Sequence, residues 1–232
     1  MSKSKKVVLF IVEGPSDETA LGAIYERLLV SSAVKFDVVH GDLTVNTGYE
    51  NSAKDARDAV RKHVIDYLSS GDKGYRWNDI ARIVQICDTD GVFIPETAIT
   101  KSTSNQLLYT ETHIETDNVQ GIKRRNEKKR NALRQLSGIE FLTYKNSKVP
   151  YSLYFLSRNL EHALHGRADE CTDEEKDHLA HQFRRAYAGN LNKFNEFLEE
   201  ISVPGDYRGS WDYIQEDINS LSRGSNLHLI LA

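Results

Sequence analysis

Four acidic side chains, in two separate parts of the sequence, have the type and spacing of a divalent-cation site. Glu13 and Asp17 follow one continuously apolar run, and Asp88 and Asp90 follow another. Both runs predict buried strands, and the carboxyl ends of parallel strands meet at one edge of a sheet. Carboxylate oxygens are the ligands that Mg²⁺ prefers. The sequence therefore predicts a site for one or two Mg²⁺ ions, with Mn²⁺ as a substitute, suited to phosphoryl transfer.

A purely structural interpretation of these acids also exists. Acidic residues at strand ends are common, and Asp17 falls in the first turn of a predicted helix, where the helix dipole favours negative charge. The order of the motifs, strand-Glu-Gly-x-x-Asp-helix and then strand-Asp-x-Asp-Gly, favours the functional interpretation. Converging carboxylates repel one another unless a cation is present, so a structural reason for them is hard to find.

The elements that must position these acids alternate along the chain. Strands are predicted at 7–12, 36–40, 80–87, 140–144 and 151–156, and helices at 16–30, 52–68, 123–136, 159–166, 172–187, 192–201 and 210–221. This alternation is typical of an α/β fold with a Rossmann-like, mostly parallel sheet flanked by helices. We expect residues 1–156 to form the catalytic domain, with a long insertion at about 92–136, and residues 157–232 to form a helical C-terminal extension.

The composition excludes several classes of protein. The 232 residues are 39% hydrophobic, which argues against intrinsic disorder. The formal net charge of −4 argues against a protein that coats nucleic acid through bulk electrostatics. The longest apolar run is too short to cross a bilayer, and no signal-type segment is evident. Because Cys87 and Cys171 suggest no disulfide framework, we expect a cytoplasmic protein with no membrane partner.

One predicted helix, at 123–136, is strongly basic. Its structural interpretation is a solvated surface helix; its functional interpretation is a face that contacts the phosphates of nucleic acid, with binding that weakens as salt rises. The nucleic-acid-binding candidates are Lys123, Arg124, Arg125, Lys128, Lys129 and Arg130.

The two acidic motifs, IVEGPSDETAL and ICDTDG, together resemble the TOPRIM domain of topoisomerases, DnaG-type primases and OLD-family nucleases. The resemblance covers roughly residues 5–92 and implies a Mg²⁺-dependent phosphoryl-transfer site. It implies Glu13 as general base, general acid or ligand, and Asp88 and Asp90 as metal ligands. Asp17 matches a second acidic residue of OLD-type nucleases.

The chain lacks the tyrosine domain of topoisomerases, the zinc finger of primases and a P-loop, so the nuclease branch of the family remains. A short chain of this kind is similar to antiphage effectors of the abortive-infection AbiL, RloB and PARIS kinds. That similarity implies a separately encoded ABC- or SMC-like ATPase as partner, and a homodimer is compatible with it. The stretch VPYSLYFLSRNLEHALHG loosely resembles the RloB strand-helix motif, which implies accessory roles for Asn159, Glu161 and His165.

Two alternatives stay open. The first is a non-catalytic or regulatory TOPRIM module that binds an ATPase partner, a nucleotide or nucleic acid without cleaving it. The second is another α/β phosphoryl-transfer fold, such as a receiver or phosphatase domain. Those folds carry an aspartate nucleophile at the position of Glu13, which argues against the second alternative.

Overall fold

The computed structural model describes residues 6–30, 32–38, 56–70, 74–104 and 106–231. The helices there are α1 (Pro15–Leu28), α2 (Ala56–Ser69), α3 (Val119–Ser137), α4 (Leu160–His165), α5 (Asp173–Tyr187), α6 (Leu191–Glu200) and α7 (Tyr207–Ile214). The strands are β1 (Val7–Val12), β2 (Ala33–Val38), β3 (Ile80–Asp88), β4 (Ile99–Lys101), β5 (Leu108–Tyr109), β6 (Ile114–Thr116), β7 (Phe141–Tyr144), β8 (Ser147–Ser157) and β9 (Gly224–Ser225). Residues 39–40 of the second predicted strand and 52–55 of the second predicted helix lie outside the described residues.

The main sheet has the strand order β2-β1-β3-β8-β7. β2, β1, β3 and β8 run parallel, whereas β7 and the short β9 each pair with β8 in the antiparallel direction. The predicted class, an α/β fold with a mostly parallel sheet flanked by helices, is confirmed and is compatible with a Rossmann-like fold. The carboxyl ends of β1, β3 and β8 therefore lie side by side at one edge of the sheet.

The sheet is covered on both faces, which explains why β1 is apolar at every position. Val8, Phe10 and Val12 belong to the core beneath α1, α5 and α6. Leu9 and Ile11 belong to the core on the other face, beneath α2, α3 and α7. Because successive side chains of a strand point to opposite faces, a strand between two cores needs apolar residues throughout.

The helices that follow residue 157 pack onto this same sheet. α4, α5 and α6 share the core on one face, and α7 shares the core on the other. α7 also lies against the part of β8 that neither β7 nor β9 covers. There the backbone N–H of Leu153 donates to the hydroxyl of Tyr207, and the indole N–H of Trp211 donates to the Leu153 oxygen. Residues on both sides of the predicted boundary at 156 thus share their cores.

Residues 92–118 hold a second, small sheet. β4 pairs with β6 in parallel and β5 pairs with β6 in the antiparallel direction, and the small sheet packs on an apolar cluster that also includes Leu221 from the C-terminal part of the chain. α3, which was expected within the insertion at 92–136, packs instead on the main sheet through Leu133 and Leu136. The weakly patterned segment is therefore a small sheet that precedes a core helix.

Two further expectations concern the cysteines and the membrane. Cys87 and Cys171 are both buried free thiols, which confirms that they form no disulfide with each other. Cys87 lies among apolar residues of the core, where it serves as a small hydrophobic side chain. None of the described helices combines the length and apolar character needed to span a membrane.

Candidate active site

Glu13 and Asp88 lie together where two neighbouring parallel strands end. Glu13 directly follows β1, and Asp88 is the last residue of β3, the strand that pairs with β1. The backbone N–H of Asp88 donates a hydrogen bond to Oε1 of Glu13 over 3.2 Å. Parallel pairing therefore brings together two acids that are 75 residues apart in sequence.

The turn after β3 holds Asp90 at this edge. Asp90 and Gly91 have left-handed backbone conformations, with φ of 48° and 62°. The N–H of Thr89 donates to the Leu156 oxygen at 3.0 Å, and the N–H of Asp90 donates to the Arg158 oxygen at 2.9 Å. A side chain at Gly91 would come within 2.7 Å of a core leucine, so glycine fits both the conformation and the space. The turn thus continues the pairing of β3 with β8 beyond the last strand residue.

A buried ammonium group lies among these carboxylates. The side chain of Lys129 on α3 is fully buried, and its Nζ lies 2.6 Å from Oδ2 of Asp90 and 3.7 Å from Oε1 of Glu13. This burial differs from the exposed basic face that the sequence predicted. We therefore correct the assignment of Lys129 from a surface residue to a residue of the acidic edge.

The buried face of α3 explains why Lys129 turns inward. Asn126, Lys129, Leu133 and Leu136 are its buried residues, separated by three, four and three positions. That spacing is typical of the core-facing stripe of a helix. The sequence signal for the burial of Lys129 was its helical spacing from the two leucines. This signal was overlooked because the segment is so highly charged.

The other basic residues of α3 are divided between several environments. Lys123 forms an ion pair with Glu96 over 3.1 Å. Arg124 and Lys128 are exposed, and Arg130 is half-buried. The helix therefore offers a smaller exposed basic surface than its sequence indicates.

The electrostatics of the site distinguish its acids. Burial alone would raise the pKa of Asp90, but the Lys129 ammonium holds that pKa below its ordinary value of 3.8. Burial, together with the nearby carboxylates of Glu13, Asp17 and Asp90, raises the pKa of Asp88 well above its usual range, and Lys129 offsets only part of this rise. The site therefore contains more negative charge than its internal cation neutralises, and it favours a proton or a further cation.

Asp17 and Glu161 extend the group of acids. Asp17 is 7% exposed, and its Oδ2 accepts the N–H of Gly14 at 2.8 Å, at the start of α1. Burial raises the pKa of Asp17 to about 7; the hydrogen bond from Gly14 opposes this rise, and the charge of Glu161 adds to it. Glu161, on α4, is itself buried. We call Glu13, Asp17, Asp88, Asp90 and Glu161 the acidic site.

The other two predicted accessory residues are engaged elsewhere. Asn159 caps α4, and its side chain accepts the N–H of His162 at 2.9 Å. The ring of His165 packs edge-on against the ring of Phe183, with the two ring centres 5.9 Å apart. In the described part of the chain, neither Asn159 nor His165 is bonded to a carboxylate of the acidic site.

Sequence reasoning missed two residues beside the acidic site, Tyr109 on β5 and Arg158 after β8. Arg125 of α3 joins them, because its Nη1 donates to the Tyr109 hydroxyl at 3.0 Å. The guanidinium carbon of Arg158 lies 5.2 Å from the centre of the Tyr109 ring. β5 is only two residues long and the small sheet has no sustained period, so nothing in the sequence pointed to Tyr109.

The acidic site supplies the hard oxygen donors that Mg²⁺ requires. Nevertheless, no group of three or more His, Cys, Asp or Glu side chains in the described residues is arranged to hold a metal ion. Part of the reason is visible at Lys129, whose ammonium occupies the position between Asp90 and Glu13 that a cation would take. The donor set thus fits Mg²⁺ in its chemistry, and Asp17 and Asp88 are the two acids of the site whose pKa values are raised.

A cavity of about 940 Å³ lies away from the acidic site. Arg82, near the beginning of β3, lines it together with Arg134, at the C-terminal end of α3, and Trp211 of α7. Arg82 precedes Asp88 by six residues, which places the two about 20 Å apart along the strand. None of the acids of the acidic site lines the cavity, so it takes no part in the chemistry considered below.

Comparisons with protein-family models, with curated proteins and with solved structures find no match for this chain.

The raised pKa of Asp17 leads to a prediction about stability. The folded chain retains the Asp17 proton up to a pH of about 7, whereas the unfolded chain releases it near 3.8, so the folded state loses stability as the pH rises through this window. Asp17→Asn removes that loss and keeps an oxygen that can accept the Gly14 N–H. We expect the variant to be more stable than the wild type by on the order of 2–4 kcal/mol at about pH 8, and by much less at about pH 4.

Urea unfolding at both pH values would measure this difference. Glu18→Gln is the matched control, because Glu18 lies in the same first turn of α1 but is exposed. A wild-type stability advantage over Asp17→Asn at the higher pH would contradict the prediction.

Proposed function

We propose that the chain is a divalent-metal-dependent nuclease whose acidic site hydrolyses phosphodiester bonds of DNA or RNA. The observation that carries the proposal is the excess of negative charge at the carboxyl edge of the sheet. Burial first, and neighbouring carboxylates second, raise the pKa values of Asp17 and Asp88 even though the Lys129 ammonium lies among the carboxylates. Crowding of this kind destabilises the fold and is typical of a site that binds cations. Ligands of open parallel sheets bind at this same edge.

In this proposal Asp88 and Asp17, with Glu13, would hold Mg²⁺ or Mn²⁺. When bound, such a metal polarises the phosphoryl oxygens and lowers the pKa of water. The sequence-based assignment of Asp90 as a ligand changes, because its carboxylate already holds the Lys129 ammonium at 2.6 Å. Asp90 becomes a positioning residue that fixes the buried cation beside the other acids.

The chain's own residues supply the remaining chemistry. The Glu13 side chain is 20% exposed at the sheet edge, so it is accessible to a water molecule and serves as the proton acceptor. Lys129 supplies positive charge beside the position where negative charge builds up on the phosphoryl oxygens during in-line displacement. Because the ammonium is fully buried and donates to Asp90, it acts through its charge rather than through direct contact with the substrate.

The two acidic motifs extend this proposal to a family and a biological setting. Their resemblance to TOPRIM nucleases supports a cytoplasmic antiphage effector of the abortive-infection type that works with a separately encoded ATPase. The mostly parallel sheet is compatible with that family, although many functions share such sheets, so the motifs carry this part of the proposal.

One observation favours a second candidate function. Because Lys129 takes the cation position between Asp90 and Glu13, the acidic site is partly neutralised without a metal. A non-catalytic module would use Lys129 as a permanent internal counter-ion and would bind nucleic acid or an ATPase partner without cutting.

Incubation of the purified chain with single-stranded DNA, duplex DNA and RNA, each with Mg²⁺, with Mn²⁺ and with EDTA, tests the two candidates. The nuclease proposal expects cleavage of at least one substrate in the presence of metal and none with EDTA. If the chain binds nucleic acid but cleaves none of the substrates under all of these conditions, the nuclease proposal is overturned in favour of the non-catalytic module.

A further inference from the structure

Two guanidinium groups flank a single tyrosine ring beside the acidic site. Arg125 donates from Nη1 to the Tyr109 hydroxyl at 3.0 Å, and from Nη2 to the backbone oxygen of Asp90 at 3.2 Å. Its Nε and Nη2 also donate to Oδ1 of Asn126, at 3.0 Å and 2.8 Å. Arg158 stacks over the Tyr109 ring at 5.2 Å and donates from Nη2 to the Ala168 oxygen at 2.9 Å. These contacts join α3, the small sheet and the end of β8 into one wall next to Asp90.

Neither guanidinium has a carboxylate partner within 4.0 Å in the described residues. Arg158 is nevertheless only 5% exposed, and Arg125 is half-buried. Asp169 is near enough to favour the charged form of Arg158, but it forms no ion pair with it. A buried cation without a counter-ion is costly, and for Arg158 one backbone oxygen and the tyrosine ring replace the lost hydration only in part.

The chemistry of the missing partner follows from the donors. A guanidinium is planar and offers paired N–H groups that match the oxygens of a phosphate. Arg125 and Arg158 approach Tyr109 from different elements, one at its hydroxyl and one over its ring face. An anion beside the two guanidinium groups would therefore meet two cations that the surrounding fold already holds in place.

We infer that Arg125 and Arg158, held apart by Tyr109, form an anion subsite that binds a backbone phosphate of the substrate next to the phosphate being cleaved. This inference rests on the proposed nuclease function for the identity of the anion. It specifies the substrate as a strand that continues past the cleaved bond, because a second phosphate is held beside the first.

The test measures binding without cleavage. Isothermal titration of the whole chain with inorganic pyrophosphate, and separately with a short single-stranded DNA, is carried out in EDTA, where hydrolysis does not interfere. We expect both ligands to bind the wild type, and Arg158→Gln and Arg125→Gln each to bind about tenfold to 100-fold more weakly. Arg185→Gln, which removes an exposed charge from α5 away from the acidic site, should bind within about twofold of the wild type.

Two further variants distinguish a specific loss of anion binding from a general loss of folding. Arg158→Lys keeps the charge and should recover part of the affinity that Arg158→Gln loses, whereas Tyr109→Phe keeps the ring and loses only the hydroxyl contact with Arg125. Circular dichroism would first show that each variant is folded. The subsite would be overturned if folded Arg125→Gln and Arg158→Gln bound both ligands as tightly as the wild type. If anion binding depends on both arginines but the chain cleaves no nucleic acid, the subsite is retained and the proposed nuclease function is refuted.

Discussion

Replacing Asp88 by asparagine is expected to reduce metal-dependent phosphodiester cleavage on the order of 1000-fold, the scale of losing a central electrostatic group of an active site. Asp88 is the acid at the centre of the group, since Glu13, Asp17 and Asp90 all act on its pKa. Asparagine keeps the shape of the side chain but removes its charge, which a metal ligand must provide. Initial rates on whichever nucleic acid the wild type cleaves best would measure the loss.

The same variant provides its own control for folding. Burial and the neighbouring carboxylates raise the pKa of Asp88, so its ionised form destabilises the folded chain at neutral pH. Asp88→Asn should therefore unfold at a higher urea concentration than the wild type while losing activity. Asp66→Asn, which neutralises an exposed aspartate of α2, should change neither property. A fully active Asp88→Asn protein would exclude the proposed mechanism.

Replacing Lys129 by methionine is expected to lower the free energy of unfolding by about 3–5 kcal/mol, the range for breaking a buried ion pair by removing one partner. Methionine fills a similar volume, so the loss comes from charge rather than from a cavity. Without the ammonium, the carboxylates of Asp90 and Glu13 keep their mutual repulsion and lose the contacts of 2.6 Å and 3.7 Å. Urea unfolding at neutral pH would measure the effect.

The pH dependence of this deficit follows mainly from Asp90, the nearer of the two carboxylates. Lys129 holds the pKa of Asp90 below 3.8, so the pair stabilises the wild type above that pH and loses its effect as Asp90 becomes protonated at lower pH. The deficit of Lys129→Met should therefore shrink in strong acid. Mg²⁺ should also restore part of the lost stability at neutral pH, because a divalent cation can replace the missing charge.

Lys128→Met is the matched control, since Lys128 is the neighbouring residue on α3 and is exposed. We expect it to change stability by less than about 1 kcal/mol. Equal stability of Lys129→Met and the wild type at neutral pH would show that the buried ammonium does not neutralise the acidic site.

The strands and most helices could be predicted from the sequence because their signals are local. A short, continuously apolar, β-branched segment such as Val7–Val12 is typical of a strand between two cores, and the periodic stripe of α1 is typical of a helix on such a sheet. Parallel pairing then required that Glu13 and Asp88 end at the same edge. Each of these inferences uses a pattern within a short stretch of sequence, so none of them can identify contacts between residues that are far apart in the chain.

The basic helix shows where this reasoning stopped. Seen as a charge run, 123–136 predicts a solvated face, but four inward positions of α3 follow a core stripe that includes Lys129. Whether a lysine in that stripe is unfavourable or stabilising depends on what lies opposite, and the partner Asp90 is 39 residues away in sequence. The same limit applies to Glu161, Tyr109 and Arg158, because each reaches the acidic site through contacts with residues that are distant in sequence.

The sequence by itself determined the alternation of strands and helices and the position of acids at the strand ends, because local periodicity and chain direction decide both. Only the tertiary structure decided which charges meet: Lys129 with Asp90, Glu161 with Asp17, and Arg125 and Arg158 around Tyr109. The physical reason is that a charge acts through distance and burial, and both are set by packing between elements that the sequence separates.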